Sequence, residues 1–278
     1  MKNILCPIDF TTFSHHALRR AAEMARAYGS AVTGIYVAEA HLPVGAEAAR
    51  TDWTNDELAR MQAQVLKALQ EVGAPSPRAV AVAGTAALEI VKLATSLPAD
   101  LIVMPAHGRT GCAEGACGSV THHILCHAPA PVLVIPDAPD SEGEASNGAF
   151  HRILCGVNFS PASLKALRYA GDLAGVNSAN LLVAHVRRTD EASPATADDS
   201  DVWRRRLHEA THSDMRPGLH VDDRLKVGDP AAELLHLAND ERCDLIVIGG
   251  HRGNPPACVM NEIVMRSHCP VLTLRVAR

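Results

Sequence analysis

Two stretches of the chain carry residues that can do chemistry. The first is Pro7-Ile8-Asp9, which ends the apolar run ILCPI near the N-terminus. A carboxylate at the tip of a strand can accept hydrogen bonds from a sugar hydroxyl or a base amine, and it can equally cap the helix that follows. The second is PAHGRTGCAEGACG, residues 105–118, running into Ser119 and Val120. Its glycines, Gly108, Gly111, Gly115 and Gly118, let the backbone approach a phosphate and expose N–H groups to it. The loop leads into a helix expected over 118–127, whose N-terminus adds unpaired amides and a partial positive charge. Ser119 supplies a hydroxyl and Arg109 a charge. As a bare connection the same stretch would be a long structureless loop, which is uncommon in a compact domain. It is not a Walker A loop, which needs Gly-Lys-Ser/Thr after the first strand, and it does not fit GxGxxG.

The elements that must bring these stretches together alternate regularly. Apolar runs predict strands near 2–8, 31–37, 78–83, 100–104 and 131–135. Amphipathic segments predict helices near 12–28, 54–72, 85–97 and 118–127. Thr11 is a helix cap, and Ser160 followed by Pro161 marks a helix start further along. Alternating βαβα with apolar strands gives an α/β fold, a doubly wound open parallel sheet of Rossmann-like type. Ligands of such sheets bind beyond the carboxyl ends of the strands where the strand order reverses. That location selects the loops after the first and fourth strands.

The pattern occurs twice. KNILCPI at 2–8 matches HRILCGV at 151–157, and Asp9-Phe10-Thr11 matches Asn158-Phe159-Ser160. Gly84-Thr85-Ala86 matches Gly228-Asp229-Pro230. Asp100-Leu101-Ile102-Val103-Met104 matches Asp244-Leu245-Ile246-Val247-Ile248, and Pro131-Val132-Leu133-Val134 matches Pro270-Val271-Leu272-Thr273. Order and spacing agree, so the chain reads as two domains of five strands each, 1–136 and 151–278. Between them 137–150, DAPDSEGEASNGAF, is polar and without periodicity, as a linker would be.

Composition narrows the function classes. Aromatics make up 3% of the 278 residues, so the core must be aliphatic. Lys and Arg total 26 against 31 Asp and Glu, a net charge of −5, which argues against nucleic acid as the main partner. The N-terminal apolar run is broken by Asp9 and no run reaches spanning length, so neither an export signal nor a membrane is expected. The eight cysteines then read as reduced thiols in a cytoplasmic protein.

With ILCPIDF, VMPAHGRTG, GSVTHHILCHAPAPVLVIP and VGDPAAELL in place, the sequence resembles the universal stress protein family over nearly all its length. The resemblance implies an adenine nucleotide alpha hydrolase-like fold. It also implies, for nucleotide-binding members, the pattern G-x2-G-x9-G-[S/T]. Here the second glycine falls on Gly108 and the last pair on Gly118 and Ser119. Pro105 stands in place of the first, removing a donor and stiffening the loop entrance. By this resemblance Asp9 and the backbone of Val37 hold adenine and ribose, while His107, Gly108, Gly118, Ser119 and Val120 line the phosphates. Pro7, Ile8, Met104 and Arg109 complete the implied site.

The implied ligand is ATP, or AMP or ADP, with Mg²⁺ accompanying ATP. The implied function is a stress-response protein using ATP in its first domain as a switch or scaffold. Its halves would pair as the family's homodimers do, and a homodimer of the chain is a further expectation. A nucleotide-independent scaffold is the alternative. A slow ATPase, with His107 as the local base, or a metal-binding variant is the second alternative. No catalytic residue is assigned. In the second half Asn158 replaces Asp9, and Arg252, Ala257 and Cys258 replace the second glycine, the third glycine and the serine. Only Gly249 is kept, so no ATP is expected there.

Fifteen histidines and eight cysteines raise the question of a metal. His122 and Cys126, and His123 and His127, have one-face spacing on a helix. Yet no CxxC pair is present, and no metal site is assigned. Cys6 and Cys155 read as core, and Cys112 and Cys117 as thiols flanking the glycine loop. The stretch 38–54 reads as a lid with Trp53 packing on the nucleotide, or as an extended connection.

Overall fold

A computed structural model describes residues 1–39, 53–108, 118–136, 148–188, 197–212, 218–251 and 258–276. Residues 40–52 of the expected lid over 38–54, most of the glycine loop and most of the 137–150 stretch therefore lie outside the described residues. The chain divides into two compact units, residues 1–148 and 149–278.

The first unit runs β1 (Asn3–Pro7), α1 (Thr12–Tyr28), β2 (Ala31–Ala38), α2 (Asn55–Glu71), β3 (Arg78–Ala83), α3 (Ala86–Ser96), β4 (Leu101–Pro105), α4 (Ser119–His127) and β5 (Val132–Ile135). Its strands lie in the order β3-β2-β1-β4-β5 and pair in parallel. β4 and β5 are buried at every position, as continuous apolar strands covered on both faces must be. α1 starts where the Thr11 side chain accepts the Ser14 amide, buries Ala17, Leu18, Ala21, Ala22 and Ala25, and stops at the left-handed Gly29. α2 starts with a reciprocal bond pair between Thr54 and Glu57. Gly34 of β2 lets α2 come close, since a Cβ there would stand 2.7 Å from a Val65 methyl. The chain moves one way from β1 to β3 and the other way from β4 to β5. Right-handed crossovers therefore put helices on both faces, and α3 packs on α4.

The second unit repeats this with β6 (Arg152–Gly156), α5 (Pro161–Asn177), β7 (Asn180–Arg187), α6 (Ala197–His212), β8 (Val221–Val227), α7 (Pro230–Asp240), β9 (Leu245–His251), α8 (Val259–Arg266) and β10 (Val271–Val276). Its strand order is β8-β7-β6-β9-β10, again parallel. Ser160 caps α5 through the Ser163 amide with Pro161 in the first turn. Phe150 is fully buried and its amide donates to Asn177.

Each unit is clasped at the base of its sheet by an aspartate. Asp100 accepts the amides of Lys2 and Asn3, and Asp244 those of His151 and Arg152. Partial burial pushes the Asp100 carboxyl up. The two amides and the neighbouring positive charges outweigh that and hold it below the usual range. Cys6 and Cys155 are fully buried in their strands, and burial alone raises both thiols. Among the described residues no helix is long and apolar enough to cross a membrane.

Candidate functional site

The order β2-β1-β4 makes the tips of β1 and β4 the place where the chain reverses direction, and a cavity of about 200 Å³ opens there. Its apolar wall is Ile8, Ile35, Ile90 and Met104, all nearly fully buried. Asp9 stands at the tip of β1. Its Oδ1 accepts the amide of Thr11 at 3.0 Å and the Thr11 hydroxyl at 2.6 Å, an Asx turn that places Phe10 at a φ of 62°. The Asp9 amide is held by Ser14 Oγ at 3.4 Å. Its Oδ2 lies opposite Gly108, where a Cβ would come within 3.3 Å. A side chain at residue 108 would therefore press on the carboxylate.

The other end of the cavity is the start of α4. Gly118 is its N-cap and, having no side chain, caps none of the first amides of the helix. Thr121 Oγ1 donates to the carbonyl of Pro105 at 3.2 Å and fastens this first turn to the tip of β4. Pro105 costs the sheet no bond to β5, because the amide of Ala106 donates to Ile135 at 3.0 Å instead.

All the site residues expected from the sequence line this cavity except Arg109, which lies outside the described residues: Pro7 of β1 with Ile8 and Asp9 just after it, Val37 of β2, Met104 of β4 with His107 and Gly108 just after it, and the N-cap Gly118 with Ser119 and Val120 of α4. Several lining residues were not foreseen. Ser14 comes from the first turn of α1, and Ile35 precedes Val37 on β2. Glu39, Ala86 and Ile90 line the end under α3. Glu39 Oε1 accepts the Ala86 amide at 2.8 Å, satisfying the start of α3, where the N-cap Thr85 makes no side-chain bond. An acidic residue just past a strand tip was the one available signal for Glu39.

The histidine pairs on α4 do not converge. His122 Nε2 is 3.7 Å from Cys126 Sγ, and the His123 and His127 rings stack at 4.1 Å. Among the described residues no group of three or more His, Cys, Asp or Glu is placed to hold a metal. The partly buried His123 is held below the usual histidine range by desolvation and its histidine neighbours.

In the second unit two of the counterpart positions are glycines in close contact with neighbouring helices. Asn158 keeps the turn, accepting the Ser160 amide at 3.1 Å with Phe159 at a φ of 59°. Over Gly156, the counterpart of Pro7, Leu234 comes so near that a Cβ would stand 2.9 Å from its Cδ1. At Gly249, the counterpart of Pro105, a Cβ would meet the Ala162 carbonyl oxygen of α5 at 2.3 Å. His185, the counterpart of Tyr36, donates from Nδ1 to the Val157 carbonyl at 2.8 Å, stacks on Trp203 at 4.9 Å and meets Phe159 in a tilted contact at 4.7 Å, the three rings forming one cluster.

A family model described as the universal stress protein family matches residues 1–136 and again 149–275. A universal stress protein of Methanocaldococcus jannaschii is 32% identical over 139 residues, 48% of this chain and 81% of that protein. Universal stress protein A homolog 1 of Coxiella burnetii is also 32% identical over 139 residues, 48% of this chain and 95% of its own length. The crystal structure of a universal stress protein from Archaeoglobus fulgidus covers 98% of this chain and 98% of its own, with a TM-score of 0.73 at 18% identity, a likeness of fold. Two matches of the same family model, one in each half, lead to one conclusion: the chain is a tandem member of the universal stress protein family.

Proposed function

We propose that the first unit binds an adenine nucleotide, ATP with AMP and ADP as lesser forms, and that the second unit binds none. Occupancy of the first unit then acts as a switch on what the chain contacts in a stress response. The observation that carries this reading is a cavity with an apolar wall at one end and the uncapped start of α4 at the other. A flat base fits the first and phosphates fit the second. Asp9, at the tip of β1 between them, holds the sugar, and Mg²⁺ enters with the phosphates. Leu234 and the close approach of α5 to Gly249 support a silent second unit.

The test is to purify the chain without added nucleotide, denature it and measure the nucleotide released, beside a Gly118→Val variant. A Cβ at Gly118 meets its nearest neighbour at an ordinary 3.6 Å, so the variant folds while its side chain obstructs the helix start. About one nucleotide per chain, lost in the variant, is expected. Two per chain would sink the silent second unit. None, with no binding up to millimolar ATP, would favour a nucleotide-independent scaffold, the reading that Pro105 in place of a glycine supports.

A further inference from the structure

Glu39 lines the cavity. It follows β2, on the far side of β1 from β4, so it lies at the opposite end from Gly108 and the start of α4. Its Oε1 is fixed by the amide of Ala86, and its Oε2 is the second acceptor of the same carboxylate. Ile35, from β2, and Ile90, one turn along α3 from Ala86, are the buried apolar side chains of this end.

We infer, building on the nucleotide reading above, that Glu39 is the specificity-determining residue of the site. Its second oxygen, Oε2, accepts a hydrogen bond from the exocyclic amine of the base and so selects amino bases over keto bases. The chemistry is one of donors and acceptors. A carboxylate can only accept, so it pairs with an amine and repels a ring carbonyl. Pinning one oxygen removes the freedom to swing away, which fixes the remaining acceptor before the ligand arrives. The negative charge also orients the ligand, since phosphates at this end would face a carboxylate instead of helix amides. Asp9 stands on β1, nearer the middle, and is left for the sugar.

The experiment is a set of titrations with ATP, ITP and 2′-deoxy-ATP on the full chain and on E39Q. ATP and ITP differ at the position in question, amine against carbonyl. The original chain should bind ATP at least about tenfold more tightly than ITP, the size expected of one hydrogen bond to a charged acceptor. The glutamine keeps an oxygen for the Ala86 amide and turns its NH₂ toward the base. E39Q should therefore fold normally and shift its preference to ITP. Removing the 2′-hydroxyl should have the same effect in both proteins, since the sugar is left to Asp9. An unchanged ATP-to-ITP ratio in E39Q would reduce Glu39 to a cap of α3 and overturn the inference. So would a loss on removing the 2′-hydroxyl that E39Q abolishes, which would move Glu39 to the sugar. No binding of any of the three by the original chain would overturn the nucleotide reading itself. That result is distinct from binding without base preference, in which only the role of Glu39 fails.

Discussion

The two units share their strands, their turns and their basal clasps, and differ at the tips of the same three strands. In the first, β1 ends in Pro7 and Asp9 beneath open space. In the second, β6 ends in Gly156 under Leu234, and β9 carries Gly249 against the backbone of α5. The turn after the first strand survives the change from Asp9 to Asn158, because either side chain can accept the amide two residues on. The charge is lost and the geometry kept. The helix starts differ in a linked way. Ala86 needs an acceptor for its amide and finds Glu39, whereas its counterpart Pro230 has no amide and Glu39's counterpart is Arg188. A helix start that needs no acceptor frees the position opposite it from having to be acidic. The same scaffold thus tolerates different packing above the strand ends, depending on a few side chains there.

The largest expected effect is from Leu234→Ala, which empties the space over Gly156. It should destabilise the second unit by about 2–4 kcal/mol in a urea titration. It should still bind no ATP in calorimetry, since Asn158 and the approach of α5 to Gly249 remain. ATP binding by this variant would mean that one side chain alone separates the two units. Next is Gly249→Ala. Its Cβ meets three backbone atoms of α5 at 2.3 to 2.5 Å, and backbone cannot rotate away. A loss of about 2 kcal/mol is expected, and a neutral result would show that α5 can shift and that the closure is soft.

Asp9→Asn makes the first unit resemble the second. The Asx turn should hold, with stability within about 0.5 kcal/mol, while ATP binding weakens about tenfold for loss of the charged acceptor. Equal loss of both would mean that Asp9 works mainly by holding the turn. The smallest effect is from Thr85→Asp, which copies Asp229, whose side chain accepts the Ala232 amide at 2.9 Å. It should add about 0.5–1 kcal/mol to the first unit in thermal melts.

The sequence disclosed elements more readily than surroundings. The five strands and four helices of the first unit lie within about two residues of their expected limits, because aliphatic runs and capping residues are local signals. Thr11 and Ser160 cap as their chemistry suggests. The reversal point between β1 and β4 followed from strand alternation, and with it the placement of Asp9, Gly108 and Gly118. Ser14, Ala86 and Ile90 could not be found this way. They reach the cavity through helix crossovers, and their residue types are ordinary helix types. The close approach of Leu234 to Gly156 was also hidden, since a leucine in a helix carries no mark of what it covers. There the substitutions in the loop after β9 gave the expectation of a silent unit, and the packing at Gly156 and Gly249 is a separate feature that the sequence did not disclose.

The basal clasp also bears on how the chain folds as it is made. Lys2 and Asn3 wait for a residue 98 and 97 positions later, and His151 and Arg152 for one 93 and 92 positions later. The central strand of each unit is thus the first to be synthesised and among the last to gain both neighbours. Pairings this distant in sequence fold slowly and leave a strand edge bare in the interval. A nascent chain cut short before Asp100 has a central strand with one open side. During synthesis each unit is therefore most exposed to aggregation just before its aspartate emerges, and the cell meets that interval twice for every chain it makes.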